Sequence, residues 1–160
     1  MAESYTLEKQ IWTNPDFEEM NWHDCYIHAL SLGKQDKLLL DIDYIFKWVL
    51  IKNKKHYQFW IAPCTLIFEN VYEIELKSLN ATLIIDNISK ENPQMPKNAA
   101  HMPKDTEFDW IIETTVGEIS FKSIGYIQYV RQAPILLRSQ EIDIQNRGGI
   151  SFGTLFSPQS

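Results

Sequence analysis

The chain has 160 residues, the length of one domain, and 44% of them are hydrophobic and 12% aromatic. This apolar content excludes an intrinsically disordered chain, and it supplies a core that needs neither a disulfide framework nor a structural metal. The formal net charge of −6 gives a phosphate backbone no general electrostatic attraction, so we expect no nucleic-acid partner.

The sequence also bears on the compartment. Its first twelve residues hold no apolar segment of signal-peptide length, and no later stretch approaches the roughly 20 apolar residues of a membrane helix. We therefore expect a soluble, cytoplasmic protein without a membrane partner. Cys25 and Cys64 lie in apolar, strand-like surroundings, which predicts two reduced, buried cysteines. No motif indicates a cofactor.

The first predicted element is a short N-terminal helix at residues 14–20. Asn14 can cap it, Pro15 suits its first position, and acidic residues occupy its first turn. From residue 22 onward, short runs rich in β-branched and aromatic residues alternate with Gly, Asn, Pro or charged residues, which is typical of β-strands. These predicted strands span residues 22–32, 38–51, 57–62, 65–71, 73–79 and 82–88.

Residues 89–107 (SKENPQMPKNAAHMPKDTE) hold three prolines and few residues that could pack, so we predict a long, mobile surface loop. The clearest hairpin follows, with strands at residues 108–115 and 118–130. One side of this hairpin is almost entirely apolar, as a half-buried antiparallel sheet requires. Residues 135–144 add a last strand or a helical turn, and we expect the tail from Arg147 to pack on the rest.

Together these elements predict a single, mainly β domain over residues 1–160. We expect one antiparallel sheet, strongly bent or forming a partial barrel, with a short N-terminal helix. A curled sheet shelters more aromatic surface than a flat one. Its edge strands need protection by loops or by self-association, so a homodimer is one expected arrangement.

Two-residue periodicity sorts the side chains of the second predicted strand. In residues 38–48 (LLLDIDYIFKW) one face is apolar and ends at Trp48, and the other carries the charges. A four-residue turn before this strand would place His28 opposite Asp41, whereas a two-residue turn would place it opposite Asp43. In both registers one polar face, turned towards water, collects the same residues: Asp24, Tyr26, His28, Asp41 and Asp43.

This polar face has three interpretations. As a hydrated sheet surface, it holds an ordinary cross-strand pair between His28 and an aspartate, worth about 0.2 to 1 kcal/mol. As a site, it could bind a divalent metal, or supply a general acid and base about 6.6 Å apart on one strand. No spacing in the group is specific to a known site, so the hydrated surface is preferred and metal binding stays open.

Five aromatic residues form a second candidate group: Trp48, Trp60, Trp110, Phe121 and Tyr129. Inside a curved sheet they would line an apolar pocket for a small molecule. Filling the core is the more frequent fate of such rings, so both interpretations are kept.

The first half of the chain carries a resemblance. Trp22-His23-Asp24 opens a strand, a hairpin leads into the strand that alternates Leu with Asp, and residues 66–71 (LIFENV) follow. This arrangement resembles small uncharacterised bacterial β-rich proteins with an aromatic-His-Asp motif, which are similar to some immunity families of polymorphic toxin systems. The resemblance implies a β-rich fold, and it transfers no catalytic residue.

Three classes of function remain. The first, which we prefer, is a non-catalytic, immunity-like domain that binds another protein through exposed aromatic and carboxylate groups. The second is a small-molecule-binding, barrel-like protein that uses the aromatic group. The third is a metal-dependent or acid–base enzyme that uses the polar face. The sequence supplies no nucleophile with an attendant base, so we expect a binding protein rather than an enzyme.

Overall fold

The computed structural model describes residues 4–52, 55–80, 82–97 and 105–158. Within these ranges it holds ten β-strands and one short 3-10 helix, and none of the helical structure there could cross a bilayer. The strands are β1 (Ile11–Thr13), β2 (Tyr26–Gly33), β3 (Lys37–Leu50), β4 (Tyr57–Glu69), β5 (Tyr72–Lys77), β6 (Leu83–Gln94), β7 (Glu107–Thr114), β8 (Glu118–Ser123), β9 (Gly125–Val130) and β10 (Ile135–Leu137).

These strands form one sheet, which is not closed. Nine of them follow the order β1-β9-β4-β3-β2-β6-β7-β8-β5, and β10 pairs with β4 on the same edge as β9. Every strand pair is antiparallel. The prediction of a mainly β chain built on one antiparallel sheet is confirmed.

The N-terminal helical segment is a six-residue 3-10 helix, Asn14–Glu19. The described residues contain no helix of seven residues or more, so the predicted N-terminal helix is not shown as a regular one. Asn14 attaches this turn to the end of β8 and the start of β9. Its side-chain oxygen accepts the Tyr126 N–H, and its side-chain nitrogen donates to the Ile124 carbonyl, both at 3.0 Å.

The sheet folds back over its own core. Four strands separate β4 from β8 in the strand order, so these two strands would lie about 24 Å apart in a flat sheet. The ring of Phe68 on β4 nevertheless lies 4.7 Å from that of Phe121 on β8 and 5.1 Å from that of Trp110 on β7. These contacts require a strong bend, which encloses the apolar faces of both ends of the sheet.

A sharp corner joins β8 to β9, the two strands that come from opposite sides of the folded-back sheet. Only Ile124 separates them. Gly125 follows it with φ +140°, and a Cβ at this position would lie 1.9 Å from the side-chain oxygen of Asn14. Ser123 Oγ donates to the Glu69 carbonyl at 2.6 Å, which ties the corner to the end of β4. The single strand predicted over residues 118–130 is therefore two strands.

Two other predicted boundaries are wrong. The strand β4 runs without a break through Pro63, whose carbonyl accepts the Arg131 N–H at 3.0 Å. In a β-strand the N–H and C=O of one residue point to the same edge of the strand. The nitrogen of Pro63 therefore points, like its carbonyl, to the edge between β9 and β10, and β4 loses no hydrogen bond to β3 there.

The strand β6 continues to Gln94, so residues 89–94 of the predicted loop pair with β7. Residues 98–104 of that loop lie outside the described residues, and its mobility stays a prediction.

The register of β2 with β3 combines the two predicted alternatives. The turn has three residues, since Gly33 pairs with Lys37. A bulge at His28 then places Tyr26 opposite Asp43, the pairing that the four-residue turn predicted. The His28 ring contacts Asp43, the partner that the two-residue turn predicted.

A second bulge, in β3 after Ile45, changes the face of Trp48. Beyond the bulge Trp48 pairs with Phe59, which lies on the same side of β4 as Ile61, the partner of Ile45. Ile45 in turn shares a face of β3 with Asp43. Trp48 therefore lies on the face of Asp43, and the prediction that placed it on the apolar face is wrong.

Candidate functional site

We call the face of β2, β3 and β4 that carries Asp41, Asp43 and Trp48 the outer face. The chain that follows β10 covers part of it, and the side chains of Asp41 and Asp43 have 0% exposed surface. The prediction of a hydrated polar face is therefore wrong. The two carboxylates point away from the apolar core, as alternation requires, but into a buried layer beneath the C-terminal chain.

Two arginines neutralise these carboxylates. Arg147 donates to both oxygens of Asp41, at 2.6 and 2.7 Å, and to Asp43 at 3.0 Å. Arg131 donates to Asp41 and to the Thr65 hydroxyl, both at 2.8 Å. Each buried carboxylate thus has a positive charge in direct contact, which is the condition under which buried ions are tolerated.

Backbone donors and His28 complete this network. The Ser151 N–H donates to Asp41 at 2.9 Å, and the Ile142 N–H donates to Asp43 at 2.8 Å. His28 Nε2 lies 2.6 Å from a carboxylate oxygen of Asp43. Since its members come from both the sheet and the C-terminal chain, the network fixes that chain on the outer face.

Asp41 and Arg147 are both charged at neutral pH. Burial alone would raise the pKa of Asp41, but hydrogen bonds from Arg147 and the Ser151 N–H, with the charge of Arg131, outweigh it and lower that pKa. Burial alone would lower the pKa of Arg147, but its contacts with Asp41 and Asp43 outweigh burial and raise it.

The same contacts bear on the metal and catalytic interpretations. All four carboxylate oxygens of Asp41 and Asp43 already interact with groups of this chain. Across the described ranges, no group of three or more His, Cys, Asp or Glu side chains is placed to hold a metal ion. Burial raises the pKa of Cys25 to about 12 and the pKa of Cys64 well above its usual value, so both cysteines stay protonated.

A cleft of about 650 Å³ opens on the outer face beside the buried network. It lies at the end of the β3–β4 pair, beyond the second bulge, and residues 138–140 form its opposite wall. Its volume falls in the range of roughly 300 to 1,000 Å³ that is usual for ligand sites. We call it the Trp48 cleft, and six residues define it: Tyr26, Trp48, Lys55, His56, Tyr57 and Arg138.

The buried network holds the wall of this cleft in place. On one side of Arg138, Leu137 pairs with Phe59 at the end of β10. On the other side, the Gln140 side chain donates to Asp24 at 3.0 Å, and the network binds the backbone two residues later. Arg138 is therefore anchored at both ends of a short segment, although it is itself exposed.

Aromatic rings form the other wall. The ring of Trp48 meets those of Tyr57 and Phe59 edge to face, at 5.6 and 5.0 Å, and the His23 ring stacks at 6.4 Å. Tyr57 is 46% exposed, and its cross-strand partner Leu50 is 60% exposed. An apolar surface therefore borders the cleft and faces solvent.

The cations of the cleft have no ionic partner within the described part of the chain. Lys55, His56 and Arg138 are all exposed, and none of them takes part in the ion pairs found there. In a chain of net charge −6, the positive charges of Lys55 and Arg138 distinguish the cleft from the acidic chain as a whole.

The predicted polar face is thus divided among three roles. His28, Asp41 and Asp43 belong to the buried network. Tyr26 lines the Trp48 cleft, and Asp24 supports its wall through Gln140. The binding role predicted for this group stays a prediction.

The predicted aromatic group does not line one pocket. Only Trp48 borders the cleft, whereas Trp110 and Phe121 pack around Phe68 in the core. Trp60 is buried with its ring 5.8 Å from that of Tyr5. Tyr129, on β9, pairs with Ile11 of the edge strand β1.

Sequence reasoning missed Arg131, Arg138 and Arg147. A signal for the two buried arginines exists, because two aspartates in a strand with neighbours on both sides need cations. Arg131 directly follows the apolar run that ends at Val130, and Arg147 begins the tail that was expected to pack. The arginine on the cleft wall has no such signal, since an exposed arginine in a loop is ordinary.

Comparison with known proteins gives no match: no family model, no curated protein and no solved structure is similar to this chain. The proposals below therefore rest on the geometry and charge of its own residues and, for the class of partner alone, on the resemblance of the first half of the chain.

Proposed function

We propose that this chain is a non-catalytic binding domain that recognises another protein at the Trp48 cleft. One observation carries the proposal: the buried charges of the outer face are paired, whereas Lys55 and Arg138 in the adjacent cleft have no ionic partner among the described residues and lie near the exposed ring of Tyr57. Tyrosine, tryptophan and arginine are the side chains most enriched at the energetic centres of protein interfaces. The cleft presents all three on a supported surface.

The disposition of the reactive groups supports recognition rather than catalysis. Asp41 and Asp43 are held by two arginines, and both thiols are buried and protonated. Recognition needs a rigid surface more than a reactive group, and the buried network supplies that rigidity to the cleft wall.

The resemblance to immunity-like proteins suggests a class of partner, a protein toxin in a bacterial cytoplasm. The motif that carries the resemblance borders the cleft, since His23 stacks on Trp48 and Asp24 supports the wall. A bacterial source, a cytoplasmic location and a homodimer stay predictions. The sheet ends in the edge strands β1 and β5, where a second copy could pair.

The volume of the cleft favours a second candidate, a small-molecule-binding protein. A compound of ordinary metabolite size would fit about 650 Å³. The surroundings favour the protein partner, because a small ligand inside the cleft would leave the rim formed by Leu50 and Tyr57 in water.

Site-specific photo-crosslinking in cells of the source organism tests the proposal. A photoreactive phenylalanine analogue at position 57 replaces an exposed aromatic side chain at the cleft, and the same analogue at position 76, on edge strand β5, is the matched control. We expect one protein to crosslink through position 57 and not through position 76, with its identity given by mass spectrometry. No protein adduct at position 57, or the same adducts at both positions, would contradict the proposal.

A further inference from the structure

We infer that the part of the partner that enters the Trp48 cleft is an acidic peptide segment, in which carboxylate side chains flank an aromatic residue. This inference rests on the proposed function and adds the chemistry of the ligand. It follows from three properties of the cleft: its charge, its rings and its rim.

The charge of the cleft selects an anion. Lys55 and Arg138 line the same cleft without an ionic partner among the described residues. The Arg138 guanidinium can hold a carboxylate through two parallel hydrogen bonds, and its planar fork loses less freedom per hydrogen bond than a lysine ammonium does. A basic ligand would meet like charges there.

The rings of the cleft select an aromatic side chain between the carboxylates. His23 stacks on Trp48, Phe59 meets it edge to face, and Tyr57 extends the aromatic wall towards solvent. An inserted ring would add a further edge-to-face or offset contact to this cluster.

The rim favours a peptide over a free anion. Leu50 and Tyr57 lie exposed at the end of the β3–β4 pair, and only a ligand that continues beyond the cleft covers them. The net charge of −6 also disfavours a long polyanion, because a ligand that extended far beyond the cleft would meet an acidic chain.

Defined peptides test the inference with a reporter that the chain already contains. The structure describes all five tryptophans, and Trp48 is the one that is not buried. A change in tryptophan fluorescence on binding, whether quenching or a shift in emission wavelength, therefore reports mainly on the cleft. The probes are acetyl-Glu-Glu-Phe-Glu-Glu-amide, its Gln and Lys counterparts, and phenylacetate, with dissociation constants confirmed by calorimetry. We expect the acidic peptide to bind at least tenfold more tightly than any other probe, and less tightly as salt is raised.

Variants locate the interaction. Arg138→Gln and Lys55→Gln should each weaken binding of the acidic peptide at least threefold, and Trp48→Leu at least tenfold. Lys34→Gln is the matched control, because it removes the same charge at the far end of β3, a 14-residue strand about 45 Å long. This control should bind the acidic peptide as the unmodified chain does.

Several results would overturn the inference. They are equal affinity for the Gln or Lys peptide, phenylacetate binding as tightly as the acidic peptide, no binding of the acidic peptide at millimolar concentration, and equal losses in Lys34→Gln and Arg138→Gln. The crosslinking experiment stands apart from these, since a partner found there without acidic-peptide binding would retain the proposed function and remove only the ligand chemistry.

Discussion

At the scale of single residues, Arg147 is the centre of the outer face. It contacts Asp41 and Asp43 at once, and its guanidinium also donates to the Gly149 carbonyl at 2.8 Å. Replacing it with a neutral side chain would leave two buried carboxylates beside one remaining arginine. Removing one partner of a buried ion pair is far more costly than removing an exposed charge.

Arg147→Gln is therefore expected to lower the free energy of unfolding by about 3 to 5 kcal/mol. The exposed variant Arg138→Gln should change it by less than about 0.5 kcal/mol. Urea unfolding followed by tryptophan fluorescence measures both. Equal effects of the two substitutions would show that the buried network does not hold the C-terminal chain on the sheet.

The lowered pKa of Asp41 predicts a dependence of stability on pH. Its pKa in the folded state lies below the unfolded value of about 3.9, so the unfolded chain binds the proton first as the pH falls. The stabilisation is complete above about pH 5 and is lost as the pH falls through the folded pKa.

The unfolding free energy of the unmodified chain should consequently rise with pH between about pH 3 and 5 more steeply than that of Asp41→Asn, which has no carboxyl group to titrate at this position. Urea titrations at a series of pH values give both slopes. Identical slopes would mean that Asp41 does not contribute to the acid sensitivity of the fold.

At the scale of elements, the sequence predicted what a single strand determines by itself. Alternation placed Asp41 and Asp43 away from the apolar face because the period of two is a property of the extended backbone. The bulges at His28 and after Ile45 depend on how two strands fit together, and one strand's pattern does not contain them. This is why Trp48 was predicted on the wrong face.

The β8–β9 corner should be sensitive to a substitution at Gly125. Gly125→Ala combines an unfavourable backbone conformation with a clash against Asn14, the residue that holds the 3-10 helix on β9. The backbone conformation alone costs about 1 to 3 kcal/mol. Gly149→Ala is the matched control, because Gly149 also has a positive φ, +82°, but has no neighbour within 4 Å of the added Cβ.

We therefore expect thermal unfolding to show a larger loss for Gly125→Ala than for Gly149→Ala. The difference between the two variants reflects the clash with Asn14 together with the less favourable φ of +140° at Gly125. A loss in Gly149→Ala as large as that in Gly125→Ala would show that the close approach of Asn14 contributes nothing.

At the scale of the whole molecule, the candidate site depends on contacts between residues far apart in the chain. Arg147 meets Asp41 across 106 positions, and Gln140 meets Asp24 across 116. Short-range pattern could identify the aspartates as a polar group, but it could not show that a C-terminal segment covers them. The sequence therefore predicted a hydrated face where the chain has a buried network with a cleft at its side.

The bend of the sheet also explains why most of the predicted pocket residues are buried in the core. Phe68 meets Trp110 and Phe121 only because the sheet folds back, so rings predicted as a pocket lining become filled core. The second bulge leaves Trp48 outside that core. The surface available for recognition is then narrow, and it combines one arginine-bearing wall with one aromatic wall.

Hydrogen exchange of the whole chain, with and without saturating acidic peptide, shows whether the Trp48 cleft is the binding site, because it reports where a ligand slows backbone opening. We expect slower exchange confined to residues 48–52, 57–60 and 135–142, which frame the Trp48 cleft. We also expect unchanged exchange in β5 and β8, which contribute no residue to the cleft. Slower exchange centred on β5 and β8, or no change at the cleft at saturation, would contradict this expectation.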